Sequence, residues 1–426
     1  MKRLTALCAV LALSLPLTAC TDDDPGLDEG SNDSGAEGDR VEVPLSIDGD
    51  TTWTADRTYV LTGITFVNSG TLTIEPGTTI LGGAGSALVI DEGARIDAQG
   101  TADAPIVMTS INVDTGPARG DWGGLALIGR APTNVGEGVA EGFADDPPTY
   151  GGNDPAHACG TLRYLRVEYA GNEVSPGNEL NGITFYACGS GTTVDHVQVH
   201  MGLDDGMEMF GGGFDLDHVV ITGAADDSID CDQGFGGTLS HVFIQQDPTI
   251  GDNCLEWSNQ GTDFTAEPLT GPTIRNLTCI GSGPGGDKSK GVTLKEGTQA
   301  TIEDSLFAQL TNDAVVLQNQ ATQAQAEAGA ISLAGTHFCG SPMTFVVDTD
   351  EEDPNPASWT TEDFAAWVTG DAGSTAGTDC GLPSTAWGQP SIQPAAPGPM
   401  GTRGYAGAVD PAGEDWTTEG WVRLGS

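Results

Sequence analysis

Short runs in which every second residue is apolar recur along the middle of the chain, and they recur in register. Leu162-Arg163-Tyr164-Leu165-Arg166-Val167 is answered by Val194-Asp195-His196-Val197-Gln198-Val199, then by Leu216-Asp217-His218-Val219-Val220-Ile221 and Leu239-Ser240-His241-Val242-Phe243-Ile244. Weaker copies follow at Ile274-Arg275-Asn276-Leu277-Thr278-Cys279 and Ile302-Glu303-Asp304-Ser305-Leu306-Phe307. After each comes a second apolar run, including Asn181-Gly182-Ile183-Thr184-Phe185, Asp205-Gly206-Met207-Glu208-Met209, Asp227-Ser228-Ile229-Asp230-Cys231 and Asn253-Cys254-Leu255-Glu256-Trp257. A period of two means strands. The spacing of 22 residues from His196 to His218, and 23 from His218 to His241, is too short for strand–helix units but holds three short strands and three bends. Stacked coils of that kind form parallel sheets around one continuous core. The handedness of parallel crossovers makes the coil right-handed. The pattern therefore predicts an all-β, right-handed parallel β-helix.

Nearer the N-terminus the spacing loosens, and strands are expected at 58–67, 71–80, 87–96, 106–109 and 122–128. The Gln- and Ala-rich stretch 318–328 reads as a loop or short helix leaving the stack. Thr360, with Asp363 three residues on, reads as the capped start of a helical turn through Val368. An open solenoid end must be covered, and the Pro- and Gly-rich segment 336–426 is expected to form that cap. The β-helix itself is then 43–335.

The N-terminus carries Lys2 and Arg3, an apolar run and a small-residue stretch ending at Cys20. This is the form of an export signal rather than a membrane span, which needs about 20 apolar residues. Leu17-Thr18-Ala19-Cys20 resembles the lipobox of bacterial lipoproteins. The resemblance implies cleavage of residues 1–19, acylation of Cys20 and attachment to a membrane through lipid. Residues 20–42 offer little to bury and read as an acidic tether. Such acidic stretches resemble those of surface-exposed lipoproteins, which implies an outer-membrane, extracytoplasmic location.

Fifteen Lys plus Arg stand against 61 Asp plus Glu, for a formal charge of −46. That field excludes nucleic acid and anionic lipid surfaces as natural partners. In an exported chain cysteines point to disulfides. Of nine, Cys8 leaves with the signal and Cys20 takes lipid, so seven remain. Cys159 with Cys188, and Cys339 with Cys380, are the expected pairs. Cys231 and Cys279 fall at inward positions and read as buried thiols.

Gly120-Asp121-Trp122-Gly123-Gly124-Leu125 and the closing Tyr405-Ala406-Gly407-Ala408-Val409-Asp410 with Trp416 and Trp421 resemble a widespread group of secreted bacterial β-helix proteins, often lipoproteins, with no firmly assigned activity. The likeness implies fold and location but no reaction. Within the repeats, Leu203-Asp204-Asp205-Gly206-Met207 and, one coil on, Ala225-Asp226-Asp227-Ser228-Ile229 resemble the carboxylate motifs of the polygalacturonase family of inverting β-helix glycosidases. Carried over by position, Asp205, Asp226 and Asp227 would supply the general acid and base. The family's Gly-His-Gly is replaced by Gly251-Asp252-Asn253, and its Arg-Ile-Lys is echoed only by Thr293-Leu294-Lys295.

Two further readings concern ions. His196, His218 and His241 align in successive coils, but equivalent positions lie about 4.8 Å apart, too far for three imidazoles to share one zinc ion. A left-handed corner is the better account, because His, Asn and Asp tolerate that conformation. Asp205, Asp227 and Asp252 also align, and at about 5 Å two carboxylates repel by roughly 3 kcal/mol at an effective dielectric of 20. Calcium, with its loose all-oxygen coordination, would relieve that repulsion; solvated turn aspartates are the ordinary alternative. The expectation is a surface lipoprotein that binds, adheres or supports the envelope, with polysaccharide as a candidate ligand through Trp122 or Tyr186. The alternative is a β-helix polysaccharide hydrolase or lyase.

Overall fold

The computed structural model describes residues 40–425 apart from 176, 287, 341–342, 349–354, 384, 390 and 394–399. The proposed signal and Cys20 lie outside the described residues. The alternating runs form parallel ladders that wind into a β-helix with three faces. On the first, Leu162, Val194, Leu216, Leu239, Ile274 and Ile302 pair in sequence. The second continues the same strands through Leu165, Val197, Val219, Val242 and Leu277. The third pairs Ile183, Met207, Ile229, Leu255, Val292 and Val315. These columns point inward and merge into one buried core that runs from Val43 to Ala372. Each fully buried Leu, Ile or Val contributes about 1.5–3 kcal/mol.

Between the first and second faces the backbone turns through a left-handed residue in six coils: Tyr164, His196, His218, His241, Asn276 and Asp304 have φ of 45°, 56°, 53°, 51°, 56° and 51°. The aligned histidines are thus a corner, as their residue type indicated. Their rings stack, with centroids 4.3 Å apart for His196–His218 and 4.8 Å for His218–His241. The three rings do not share one gathering of ligand atoms; neighbouring pairs each gather with a carboxylate, Asp195–His196–His218 and Asp217–His218–His241, within 4.8 Å. Nδ1 of His196 instead lies 2.5 Å from Asp195, and Nδ1 of His241 lies 2.8 Å from Asp217. Burial opposes the charge of Asp217, but hydrogen bonds from His218 and His241 hold its carboxyl well below the usual range.

Several sequence expectations need correction, the tether 20–42 among them, because Arg40–Glu42 already forms a strand paired with Thr58–Val60. The segments 58–67, 71–80 and 87–96 are not single strands: the first breaks at Thr62–Gly63, and Glu75–Thr78 and Asp91–Ala94 hydrogen bonds close turns within the others, leaving strands Thr58–Leu61, Ile64–Ile74, Thr79–Gly82, Ala87–Ile90 and Ala94–Gln99. The stack does not stop at 335, because His337–Cys339, Thr344–Asp348 and Thr375–Thr378 add further parallel rungs. Trp122 and Tyr186 are 1 % and 0 % exposed, so neither is a sugar-binding platform; the Trp122 indole donates to the Glu168 carbonyl at 2.9 Å.

Helix α1, Gln320–Glu327, leaves the stack where the Gln- and Ala-rich run lies. Helix α2, Thr361–Thr369, begins at the Thr360–Asp363 capping box, and its Phe364, Trp367 and Val368 join the end of the core. The rest of the C-terminal region serves a side rather than an end. Ala408, Val409, Trp416 and Trp421 lie over Val220, Phe243 and Ile280, outward residues of the second face. Arg423 reaches back to Glu168 at 3.0 Å, and its amide donates to Gln198 at 2.8 Å.

Disulfides join Cys159–Cys188 and Cys339–Cys380, and a third joins Cys254–Cys279. Cys279 is therefore no thiol; facing inward, it meets Cys254 of the preceding coil. Cys231 stays free and buried. Mapping of unreduced peptides should return those three links, with Cys231 alkylated only after denaturation. At the left-handed corner, Asn276→Val should lower stability by roughly 1–2 kcal/mol and Asn276→Gly by less than about 1 kcal/mol in urea melts. Equal losses would show that the corner does not select its residue.

Candidate carboxylate trough

Outward residues of the third face change character along the stack. In the early coils they are apolar and roofed: Val89, Ala126, Ile128, Tyr186 and Phe210 pack under Ala140, Phe143, Tyr150 and Leu180. The roof comes from two excursions, the pair Gly138–Val139 with Thr149–Tyr150 and the hairpin Asn172–Ser175 with Asn178–Leu180. Beyond it the outward column becomes Glu208, Asp230 and Glu256, which pair in consecutive strands. Asp232 lies beside Phe210 in the next outward column. Strands Met207–Phe210, Ile229–Asp232 and Asn253–Trp257 thus build an acidic trough.

Its edge is the turn that carries Asn181, Asp205, Asp227 and Asn253. Each side chain braces the next coil: Asn181 Oδ1 accepts the Asp205 amide at 3.0 Å, Asp205 Oδ1 the Asp227 amide at 2.9 Å, and Asp227 Oδ1 the Asn253 amide at 2.7 Å. One oxygen of Asp205 and one of Asp227 therefore have a structural duty. Asn181 Nδ2 also donates to Glu208 at 2.5 Å, and Thr293 donates to Asn253 at 2.6 Å. Lys290 pairs with Asp252 at 2.9 Å, and Lys295 pairs with Glu256.

Carboxylate oxygens gather in three groups, each within 4.8 Å: Asp204–Asp205–Asp226, Asp205–Asp227–Asp230 and Asp226–Asp227–Asp252. Asp227 belongs to two of them. The alignment expected for Asp205, Asp227 and Asp252 thus resolves into neighbouring groups that share Asp227. Asp230 stands out in the sequence as an acid following the Asp226–Asp227 pair, whereas Glu208 and Glu256 were not singled out. Their signal was present: in Met207-Glu208-Met209, Ile229-Asp230-Cys231 and Leu255-Glu256-Trp257 an acid stands between two inward residues in consecutive coils. Asp226, of the polygalacturonase-like motif, is exposed at the rim, whereas Asp205 and Asp227 are 7 % and 5 % exposed.

Burial, then mutual repulsion, pushes Asp205, Glu208, Asp227 and Asp230 well above the usual carboxylate range. The same causes push Asp204 up to about 7, and burial alone drives most of the rise of Asp232 to about 7. Burial disfavours the charge on Lys295, yet Glu256 and Asp230 outweigh it and raise the amine. Buried carboxylates are stable only when protonated, paired or bound to a cation. A hard divalent ion fits this donor set, which is all oxygen and flexible in number. Oδ1 of Asp230 and Oδ1 of Asp252 are shut off from solvent and lack a hydrogen-bond partner. Asp205, Asp227 and Asp230, or Asp226, Asp227 and Asp252, would hold such an ion.

Stacked parallel coils around inward apolar columns define the class of parallel β-helix solenoids. The chain belongs to the family defined by the pectate-lyase like beta helix domain, whose model matches residues 45–391. No curated protein and no solved structure matches significantly.

Because folding raises the proton affinity of these acids, their contribution is greatest below the unfolded value near pH 4. It is lost as pH rises through the folded value of about 7 for Asp204 and Asp232. Asp217 and Glu168, held low, lose their contribution only at more acid pH. In EGTA the melting temperature should therefore fall between roughly pH 4.5 and pH 7.5, with Asp230→Asn reducing the fall. A flat or rising profile would contradict the arrangement.

Proposed function

We propose that this protein is an exported, lipid-anchored β-helix that binds calcium in the trough and engages acidic polysaccharide through it, without cleaving the polymer. The observation that carries this reading is the set of three neighbouring carboxylate groups, two of which share Asp227, with unpartnered oxygens on Asp230 and Asp252. Calcium removes the repulsion inside the trough and turns a surface hostile to polyanions into one that can bridge to them. Against cleavage stands the bracing role of Asp205 and Asp227: an oxygen fixed to the next coil's amide restricts the carboxylate's freedom to work as acid or base. Export to an oxidising compartment is supported by the three disulfides. The anchor is Cys20, and the location is the outer membrane with the β-helix exposed. Among the described residues no helix is long and apolar enough to cross a membrane.

Melting temperatures in EGTA, millimolar calcium and sodium chloride of matched ionic strength separate site binding from screening. Calcium at a hundred times its dissociation constant should add about 2.7 kcal/mol. The gain should vanish in Asp227→Asn with Asp230→Asn; a rise no larger than sodium gives would sink the calcium assignment.

A second reading, hydrolysis or lysis of polysaccharide, is favoured by carboxyls held near 7 at Asp204 and Asp232, where a proton can be both held and released. Incubation with polygalacturonate and with reducing-end and unsaturated-product assays decides between them. Binding without product is the expected outcome. Product release abolished by Asp205→Asn and by Asp227→Asn would establish the enzyme instead.

A further inference from the structure

The histidine corner between the first and second faces holds more than a bend. The outward column beside it runs Arg163, Asp195, Asp217, Ser240, Arg275 and Glu303 through successive coils. Two of its three acids have an arginine neighbour: Arg163 meets Asp195 at 2.7 Å, and Arg275 meets Glu303 at 3.0 Å. Asp217 has none. Its cationic partners among the described residues are two imidazoles, His218 of its own coil and His241 of the next.

Both imidazoles turn the same nitrogen to that carboxylate. Oδ1 of Asp217 accepts the His218 amide at 3.1 Å and lies 2.8 Å from His241 Nδ1. Oδ2 lies 3.3 Å from His218 Nδ1, a nitrogen that closes no hydrogen bond and is shut off from solvent. The ligand atoms of Asp217, His218 and His241 stand within 4.8 Å of one another. The C-terminal strap backs both rings: Trp416 meets the His218 ring edge-to-face with centroids 4.9 Å apart, and the Tyr405 hydroxyl lies 3.3 Å from His241 Nε2. A hydrogen bond at Nε2 that leaves Nδ1 for the ligand is the outer-shell arrangement that orients a metal-bound imidazole.

Donor chemistry selects the ion. Two neutral imidazoles and one carboxylate suit zinc and its late first-row neighbours, whereas calcium and magnesium take oxygen ligands. Three rings of the ladder span too far for one ion, but two adjacent rings and the carboxylate between them do not. Ligand atoms around a tetrahedral zinc lie about 3.3 Å apart, given bonds of about 2.0–2.1 Å. The Asp217 carboxylate already stands near that spacing from both nitrogens, so only the two imidazoles must tilt toward each other, and both are partly exposed. The neighbouring gathering of Asp195, His196 and His218 competes poorly, because Arg163 already neutralises Asp195. We infer that Asp217, His218 and His241 bind one zinc-type divalent ion that bridges two coils, with a fourth position left to water or an incoming ligand. The site stands on a different corner from the carboxylate trough and takes a different ion.

Calorimetric titration of the metal-stripped protein with zinc chloride, in millimolar calcium, tests the inference apart from the calcium reading. One zinc per chain should bind, and calcium should not displace it. His218→Asn and His241→Asn should each weaken zinc about tenfold or more. Asparagine keeps the left-handed bend, as Asn276 does in a later coil, and circular dichroism checks that both variants fold. His337→Gln, outside the corner, and Asp227→Asn with Asp230→Asn, in the trough, should leave the zinc affinity unchanged. Cobalt in place of zinc should give the visible bands of a four-coordinate site with nitrogen ligands, and the bands should disappear in His218→Asn. Zinc affinity retained in both corner variants, zinc displaced by calcium, or zinc binding lost with the trough variant would overturn the assignment.

Discussion

Parallel stacking fixes the spacing between equivalent residues of successive coils at about 4.8 Å, and nearly every property of this protein follows from that repeat. A residue is never placed singly; it joins a column. Where the column is apolar, as from Ile183 through Val315, it becomes a stretch of continuous core. Where it must turn left-handed, the same conformational demand falls on Tyr164, His196, His218, His241, Asn276 and Asp304. Where it is acidic, as at Glu208, Asp230 and Glu256, charges of one sign are forced into contact distance. The trough is thus a consequence of the repeat as much as of its residue types.

Column logic explains what is legible in the sequence. The inward positions and the first corner use narrow sets of residues, so their period and chemistry show in the amino-acid order itself. The other bends leave no such trace. One passes through Tyr169, Met201, Gly223 and Gln309, another through Ala187, Gly211, Gln233, Glu296 and Asn319. Those residues share a backbone conformation but no side-chain property. Cys254–Cys279 is hidden for a different reason: it crosses the interior from the third face to the second, so no spacing along one column reports it.

The excursions that interrupt the coils decide where chemistry is possible. By roofing Tyr186 and Phe210, the loops around Phe143 and Tyr150 close the early third face to solvent, while Tyr150 donates to Gln233 at 2.6 Å at the roof's edge. Irregular segments thereby divide a regular surface into covered and open stretches. Positive groups follow the acids: Lys290 and Lys295 are drawn into the trough.

The last segment gives this solenoid a property that solenoids usually lack. Each coil can in principle be completed as it is made, since its partners are its immediate neighbours. Here Val220, Phe243 and Ile280 cluster on their outer sides with Ile392, Ala408, Val409, Trp416 and Trp421, and Glu168 meets Arg423 across 255 positions. Assembly that proceeds from the N-terminus therefore leaves an apolar flank exposed until residues 392–421 have been made. Chains that lack these residues would keep that flank bare and become prone to self-association, so the solubility of the early coils depends on a strap made much later.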